Sequence, residues 1–194
     1  MDELNKIISF ILETDKLKNI YRQTYVTGED RTENDAEHSF HLALMTSMMS
    51  QYSNEPIDVL KTMKMVLVHD VVEIDAGDTY CYDAEASKTK EDRELVAAER
   101  LFGILPESIG SEFRELWNEF ERRDTPESRF AAVMDRVQPL LLNVATNGRA
   151  WKEHGIYIDQ VRKRIAPVKD GSVVLWQYLT DLIEDACEKG CLKK

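Results

Sequence analysis

Apolar residues along this chain recur at three- and four-residue spacing, so the predicted elements are helices from end to end. Ile7, Ile8, Phe10, Ile11 and Leu12 make an amphipathic first segment that closes in the polar run 13–18. A second helix opens at Asn34 or Asp35, where Asn34 and Glu37 have capping-box spacing, and carries the stripe His38, His41, Met45, Met48, Tyr52. Pro56 suits the first turn of a third helix, through Leu60, Met63 and Leu67. Residues 74–79 break that helix, and the polar segment 79–94 reads as a mobile loop. Further helices are predicted over about 90–105, over 106–121 and from Thr125 onward. The last begins at Ser172, puts Val174, Leu175, Tyr178, Leu179, Leu182, Ile183 and Ala186 on one face, and stops at Gly190. No strand alternation of useful length and no repeat interrupts the pattern. It predicts an all-α fold in a single domain over residues 1–194.

Two places break this pattern from within. Val66 to Ile74 is apolar except for His69, Asp70 and Glu73. Burying three ionisable groups in a helix is costly unless they are paired, hydrogen-bonded or bound to a metal. On a helix Asp70 lies about 100° round from His69, and Glu73 falls one turn on from both, so all three point into one sector. The second place is the helix over 128–147, apolar nearly all round, which reads as central. Asp135 sits inside it. Pro139 follows four residues later, denies the Asp135 carbonyl a hydrogen bond, and predicts a bend there.

Composition narrows the class. The 194 residues suffice for one full core, and 43% hydrophobic content with 8% aromatic excludes a disordered chain. A formal charge of −11 without a basic patch argues against a nucleic-acid polymer as partner. Cys81, Cys187 and Cys191 form no framework and read as reduced thiols. With no leader or membrane-length apolar run, the expectation is a soluble, cytoplasmic protein without a membrane partner.

His38, His69, Asp70 and Asp135 offer two imidazoles and two carboxylates, a ligand set without thiolate. It suits one divalent metal ion, with cobalt, manganese, zinc, iron, nickel or magnesium all compatible. His38 lies in the first turn of its helix, whose dipole is expected to keep the ring neutral. Glu73 is placed to orient or deprotonate a water activated by such a metal. Plainer readings exist for each residue. His69-Asp70 is open to reading as a buried ion pair, Asp135 as a salt bridge to Arg129 or Arg136, and His41 as a core or supporting histidine. His154 falls in a loop, the methionines over 45–65 are core filler, and the acidic run 112–121 is a solvated helix face.

His38, the His69-Asp70 doublet and Asp135 resemble the H…HD…D signature of the HD-domain metal-dependent phosphohydrolases. Arg31-Thr32-Glu33-Asn34, Ala36-Glu37-His38-Ser39, His69-Asp70-Val71-Val72-Glu73 with Gly77-Asp78, and Asp135-Arg136-Val137-Gln138-Pro139 are similar to its 5'-deoxynucleotidase branch. The resemblance implies a helical bundle around a buried metal and hydrolysis of (deoxy)nucleoside 5'-monophosphates to nucleoside and phosphate. It implies Glu73 and Asp78 as catalytic residues, Asp78 also near substrate, and a homodimer. An arginine ahead of the first ligand helix contacts phosphate in such enzymes. Arg22 matches by position, and Arg31 is a second candidate for phosphate or acid pairing. Gln23 departs from the aromatic that follows this arginine in the bacterial enzymes and crowds a ribose 2'-hydroxyl. Tyr21 and Tyr25 are the nearby substitutes. The alternatives are an HD enzyme for another phosphate ester, a cyclic nucleotide or a nucleotide polyphosphate, or a non-catalytic metal- and nucleotide-binding module.

Overall fold

The structure, a computed structural model, describes residues 2–83 and 85–194. Helix α1 spans Asp2–Thr14 and runs into a 3-10 turn at Asp15–Asn19. Only one face of α1 is used: Phe10 is buried and meets Phe113 edge-on at 5.9 Å, while Ile8, Ile11 and Leu12 are exposed.

A short antiparallel pair follows, β1 at Tyr21–Tyr25 and β2 at Thr32–Asn34, with Tyr21 opposite Asn34, Tyr25 opposite Thr32, and an irregularity between. The sequence reading expected no strand here. Tyr-Arg-Gln-Thr-Tyr is too short and too polar to show alternation, and the pairing comes from main-chain bonds that any side chain allows. The hairpin delivers the chain to α2, Asp35–Met49. Its start is the anticipated capping box: Glu37 N donates to Asn34 Oδ1 at 2.9 Å and Asn34 N donates to Glu37 Oε2 at 3.1 Å. Such a cap is worth about 1 kcal/mol and sets where the first turn, and hence His38, begins. The buried stripe is Asp35, His38, Ser39, Leu42, Met45 and Thr46, so the expected stripe drifts off the core at Met48 and Tyr52, both exposed.

Helix α3 is Val59–Val68, capped by Asp58, whose Oδ1 accepts from Lys61 N at 3.0 Å. Pro56 therefore lies before the helix, not in its first turn. Past Val68 the bonds tighten: Val71 N reaches back to Val68 O and Glu73 N to Asp70 O, three residues instead of four. The doublet thus occupies a tightened turn between α3 and the four-residue α4, Glu73–Ala76. Gly77, at φ +74°, ends it. Helix α5 (Lys90–Phe102) starts inside the segment expected as a loop over 79–94, residue 84 of which lies outside the described residues.

Helix α6 is Glu107–Arg122 and α7 is Pro126–Ala145, continuous through Pro139. As its apolar circumference predicts, α7 is central: it packs on α2, α3 and α6. Four more helices close the fold: α8 (Arg149–Glu153), α9 (Ile158–Ile165), α10 (Val168–Gly171) and α11 (Val173–Glu188). The sequence reading left α8 to α10 unassigned, and the first and last of these are a single turn or so each. Gly171 lets α10 sit on α7, since a Cβ there would come within 2.7 Å of Val133 Cγ2. Ser172 caps α11, which buries Leu175, Leu179, Ile183 and Ala186 but leaves Val174 and Tyr178 exposed. Among the described residues the bundle is helical apart from the hairpin and an isolated bridge between Tyr157 and Lys193, and all three cysteines are free thiols. Among the described residues no helix is long and apolar enough to cross a membrane.

Candidate metal centre and the cavity above it

Three elements meet at one point. His38 comes from the first turn of α2, His69 and Asp70 from the tightened turn after α3, and Asp135 from the middle of α7. His38 Nε2 lies 3.5 Å from Asp135 Oδ1 and 3.8 Å from Asp70 Oδ2. His69 Nε2 lies 3.0 Å from Asp70 Oδ1 and 3.9 Å from Asp135 Oδ1. The four residues of the expected ligand set are therefore together.

The hydrogen bonds on the far side of each ring decide what the near side offers. His69 Nδ1 is 2.8 Å from the Val66 carbonyl, which only accepts, so Nδ1 carries the proton and Nε2 the lone pair. His38 Nδ1 is 3.0 Å from Gln138 Oε1. The orientation of that amide follows from its other end, where Nε2 donates to Glu33 Oε2 at 2.7 Å. Gln138 Oε1 thus accepts from His38, leaving His38 Nε2 as a lone pair too. Both Nε2 atoms are buried without a hydrogen-bond partner. Lone pairs of two imidazoles face carboxylate oxygens across 3.0–3.9 Å, an arrangement that needs positive charge between them. One supplier is a proton. Burial and Arg22 push His38 down, but Asp135, Glu33 and Asp70 outweigh them and raise it to about 9. Among the protein's own charges, three nearby carboxylates thus act on His38 more strongly than burial and the helix end. A divalent cation is the other supplier, and the donor set of two imidazole nitrogens and carboxylate oxygens fits one.

A second group of acids lies beside the first and carries its own cation. Asp35, Asp70 and Glu73 are buried with carboxylate oxygens close together. Arg22, from β1, reaches into them: its Nη1 is 2.9 Å from Asp70 Oδ2, 3.2 Å from Asp35 Oδ1, 3.9 Å from Asp78 Oδ1 and 4.0 Å from Glu73 Oε2. Burial raises Asp35 to about 7, with the charge of Asp70 adding to it and Arg22 opposing. Burial, with Asp70 and Asp35 adding, holds Glu73 well above the usual carboxylate range, and burial also lifts Asp78. Asp70 goes the other way: burial would raise it, but His69 and Arg22 hold it low. Asp135 is likewise low, because His38 and Arg164 outweigh burial. Glu73 Oε2 is buried without a hydrogen-bond partner.

Above these groups opens a cavity of about 210 Å³. Arg22, Glu73 and Asp78 line it, as expected; Arg31 does not. Arg31 is an exposed residue whose guanidinium is paired with both oxygens of Glu37, so acid pairing is its role here. Tyr21 is exposed, and Tyr25 is tied to Glu153 under the Arg149 guanidinium; neither lines the cavity. The aromatic lining is instead Tyr80, Tyr82, Phe120 and Trp151, with the Tyr80 ring tilted against His154 at 4.6 Å. Gln23 faces the cavity and bonds His154 at 3.1 Å. His154 closes α8 instead of sitting in a free loop. His41 contacts Gln138 at 3.3 Å, the supporting role anticipated.

The sequence reading missed several residues that matter here. Gln138 stood in a quoted motif without a stated task, although an amide buried among apolar neighbours is itself a signal. Asp35 read as a helix-start acid. Arg136 and Arg164 line the cavity; burial and Arg164 push Arg136 down to about 10. Arg136 had been weighed only as a salt-bridge partner of Asp135, which it approaches at 4.0 Å, while Arg164, at 3.4 Å, lies closer. Nothing in the basic run 162–164 distinguishes Arg164 from its neighbours.

Residues 14–176 match the family model described as HD domain. The chain belongs to the HD-domain family. Among proteins similar to this HD-domain chain is a crystal structure of a predicted metal-dependent phosphohydrolase from Magnetospirillum magnetotacticum. It is 44% identical with a TM-score of 0.95, over 100% of this chain and 97% of that one. The proteins named 5'-deoxynucleotidase HDDC2 from Xenopus laevis and Homo sapiens are each 26% identical over 136 residues, 70% of this chain. The match spans 66% of the Xenopus protein and 65% of the human one.

Proposed function

We propose that the chain is a metal-dependent phosphohydrolase that acts on nucleoside 5'-monophosphates, with deoxynucleotides as the first class to test. The observation that carries the reading is the pair of unpartnered imidazole lone pairs aimed at the same carboxylates, with Glu73 Oε2 lacking a hydrogen-bond partner beside them. His38, His69, Asp70 and Asp135 would hold one divalent ion, and that ion would supply Lewis-acid polarisation of the phosphoryl group and of the attacking water. The names of the Magnetospirillum and HDDC2 relatives support the class of reaction.

The protein's own groups do the rest. Glu73, made more basic by burial, takes a proton from the attacking water at Oε2. Arg22 pins Asp70 and Asp35, so Glu73 keeps its place in a crowded acidic cluster. Asp78, sent into the cavity by the turn at Gly77, orients water and substrate. The water oxygen bonds to phosphorus as the bond to the sugar 5'-oxygen breaks; that oxygen takes up a proton from solvent, Glu73 returns its own to solvent, and nucleoside and orthophosphate leave. A homodimer and a cytoplasmic location belong to the same proposal. Phe40, Leu44 and Met48, exposed at four-residue spacing on α2, offer a second copy an apolar face, which light scattering in solution tests. We treat residues 1–194 as one functional unit.

The test is metal analysis of the purified protein, then a panel of ribo- and deoxyribonucleoside monophosphates, cyclic nucleotides and nucleotide polyphosphates read by phosphate, pyrophosphate or triphosphate release. Glu73→Gln is expected to keep its metal and lose roughly 10²- to 10⁴-fold in turnover. Wild-type turnover in that variant overturns the role given to Glu73.

A further inference from the structure

Arg136 is a buried cation of the cavity. It is 6% exposed, its Nε has no hydrogen-bond partner, and its Nη1 donates to the Ala132 carbonyl one turn back at 2.7 Å. Its ion pair is with Asp135 Oδ2, at 4.0 Å. Arg164 reaches the same oxygen at 3.4 Å from α9. Two guanidiniums thus share one carboxylate oxygen, while the other oxygen of Asp135 faces His38 and His69. A buried guanidinium is costly to desolvate unless an anion answers it, and Asp135 can answer one charge at most. Arg22 is in the opposite condition. It bonds Asp70 and Asp35 and has Glu33, Glu73 and Asp78 within 4.0 Å, so its charge is already balanced by the protein.

We propose that Arg136 and Arg164 form the anion subsite of this cavity, holding a phosphoryl group of the substrate and then the orthophosphate product, while Arg22 is the internal counter-ion of the acids. Both arginines line the cavity, and their planar forks match a dianion that presents several oxygens. Asp135 bridges the subsite to the imidazoles, so an anion on the two arginines lies beside the metal ligands. Naming the anion as a phosphoryl group rests on the phosphohydrolase reading; the existence of an anion subsite does not.

The probe is inorganic phosphate, titrated calorimetrically into the metal-loaded protein, with KM and kcat for a nucleoside monophosphate measured in parallel. Arg164→Gln, at a side chain 34% exposed, should fold normally, keep its metal content, weaken phosphate about tenfold and raise KM more than it lowers kcat. Arg136→Gln should do the same more strongly; if it fails to fold, Arg164→Gln decides. Arg162→Gln, an exposed arginine paired with Glu184 and Asp159, controls for loss of charge and should change nothing. Absence of phosphate binding by the wild type, or unchanged phosphate affinity and KM in Arg164→Gln, overturns the subsite. Weakened phosphate binding in that variant from a wild type that hydrolyses no phosphoester keeps the subsite and removes the phosphohydrolase reading.

Discussion

Two clusters of buried ionisable groups lie side by side in this fold and meet their burial cost differently. In the cluster of His38, His69 and Asp135, Arg164 and Arg136 approach only the outer oxygen of Asp135, and the two ring nitrogens facing its inner oxygen have no hydrogen-bond partner. Asp35, Asp70 and Glu73 have Arg22 driven into their midst. The first cluster is incomplete as folded and calls for a positive charge from outside. The second is completed by the chain itself. Asp70 belongs to both, with Oδ1 toward His69 and Oδ2 toward Arg22, so the two are electrostatically joined. Buried charge therefore points to a candidate site only after its partners have been counted, and the cluster that lacks a partner is the candidate.

The comparison breaks most visibly if the first cluster is opened. His69→Ala removes one of the two lone pairs, and we expect loss of stoichiometric metal with a fall in turnover of roughly 10³-fold or more, read by elemental analysis and phosphate release. Retained metal would mean the imidazoles are not the ligands. Removing the counter-ion of the second cluster should act on stability instead. Arg22→Met leaves buried carboxylates unanswered, at a cost of about 3–5 kcal/mol in denaturant unfolding at pH 8, shrinking toward pH 5 as the carboxyls take up protons.

The pH dependence of the protein under chelator sharpens the contrast. Asp35 is raised from 3.8 to about 7, so between these values the folded chain holds a proton that the unfolded chain releases, and stability falls as pH rises. His38 is raised from 6.5 to about 9, so its contribution is full below 6.5 and is lost as pH rises through 9. Asp70 and Asp135, held low, act oppositely, but only in acid below 3.8. The melting temperature should decline from about pH 4 to pH 9, and a divalent cation should flatten the upper half by replacing the proton of His38. A curve unchanged by metal would count against the first cluster as its site. The smallest effect is expected at Gln138→Leu, which frees the His38 ring from its orienting bond and should cost roughly 10- to 100-fold in metal affinity by titration.

Much of this was legible from the residues. The capping box at Asn34 and Glu37 announced where α2 starts, and His69, Asp70 and Glu73 in one apolar run with Asp135 in another announced polar groups that need partners, because burying them otherwise costs too much. The helices of α5 to α7 and α11 followed from their periodicity and caps. The hairpin and the short helices α8 to α10 did not, since elements of three to eight residues carry too little period to read. Arg31 was left open between phosphate and acid pairing because a positive charge near a helix start looks the same whether it points to solvent, an acid or substrate. Resemblance named Arg22 as a phosphate contact, but its five acidic neighbours come from β2, α2, the turn after α3, α4 and the segment beyond it, a convergence that no local pattern records.

The sequence by itself determined that the chain is helical, where its main helices begin, and which residues are too polar for the places they occupy. The tertiary structure decided which of those residues satisfy one another. Helix start and burial are local consequences of side-chain chemistry and spacing. The His38–Gln138–Glu33 chain, the pairing of Arg22 with Asp70 and the approach of Arg164 to Asp135 join residues more than 25 positions apart, brought within a few ångströms by packing alone.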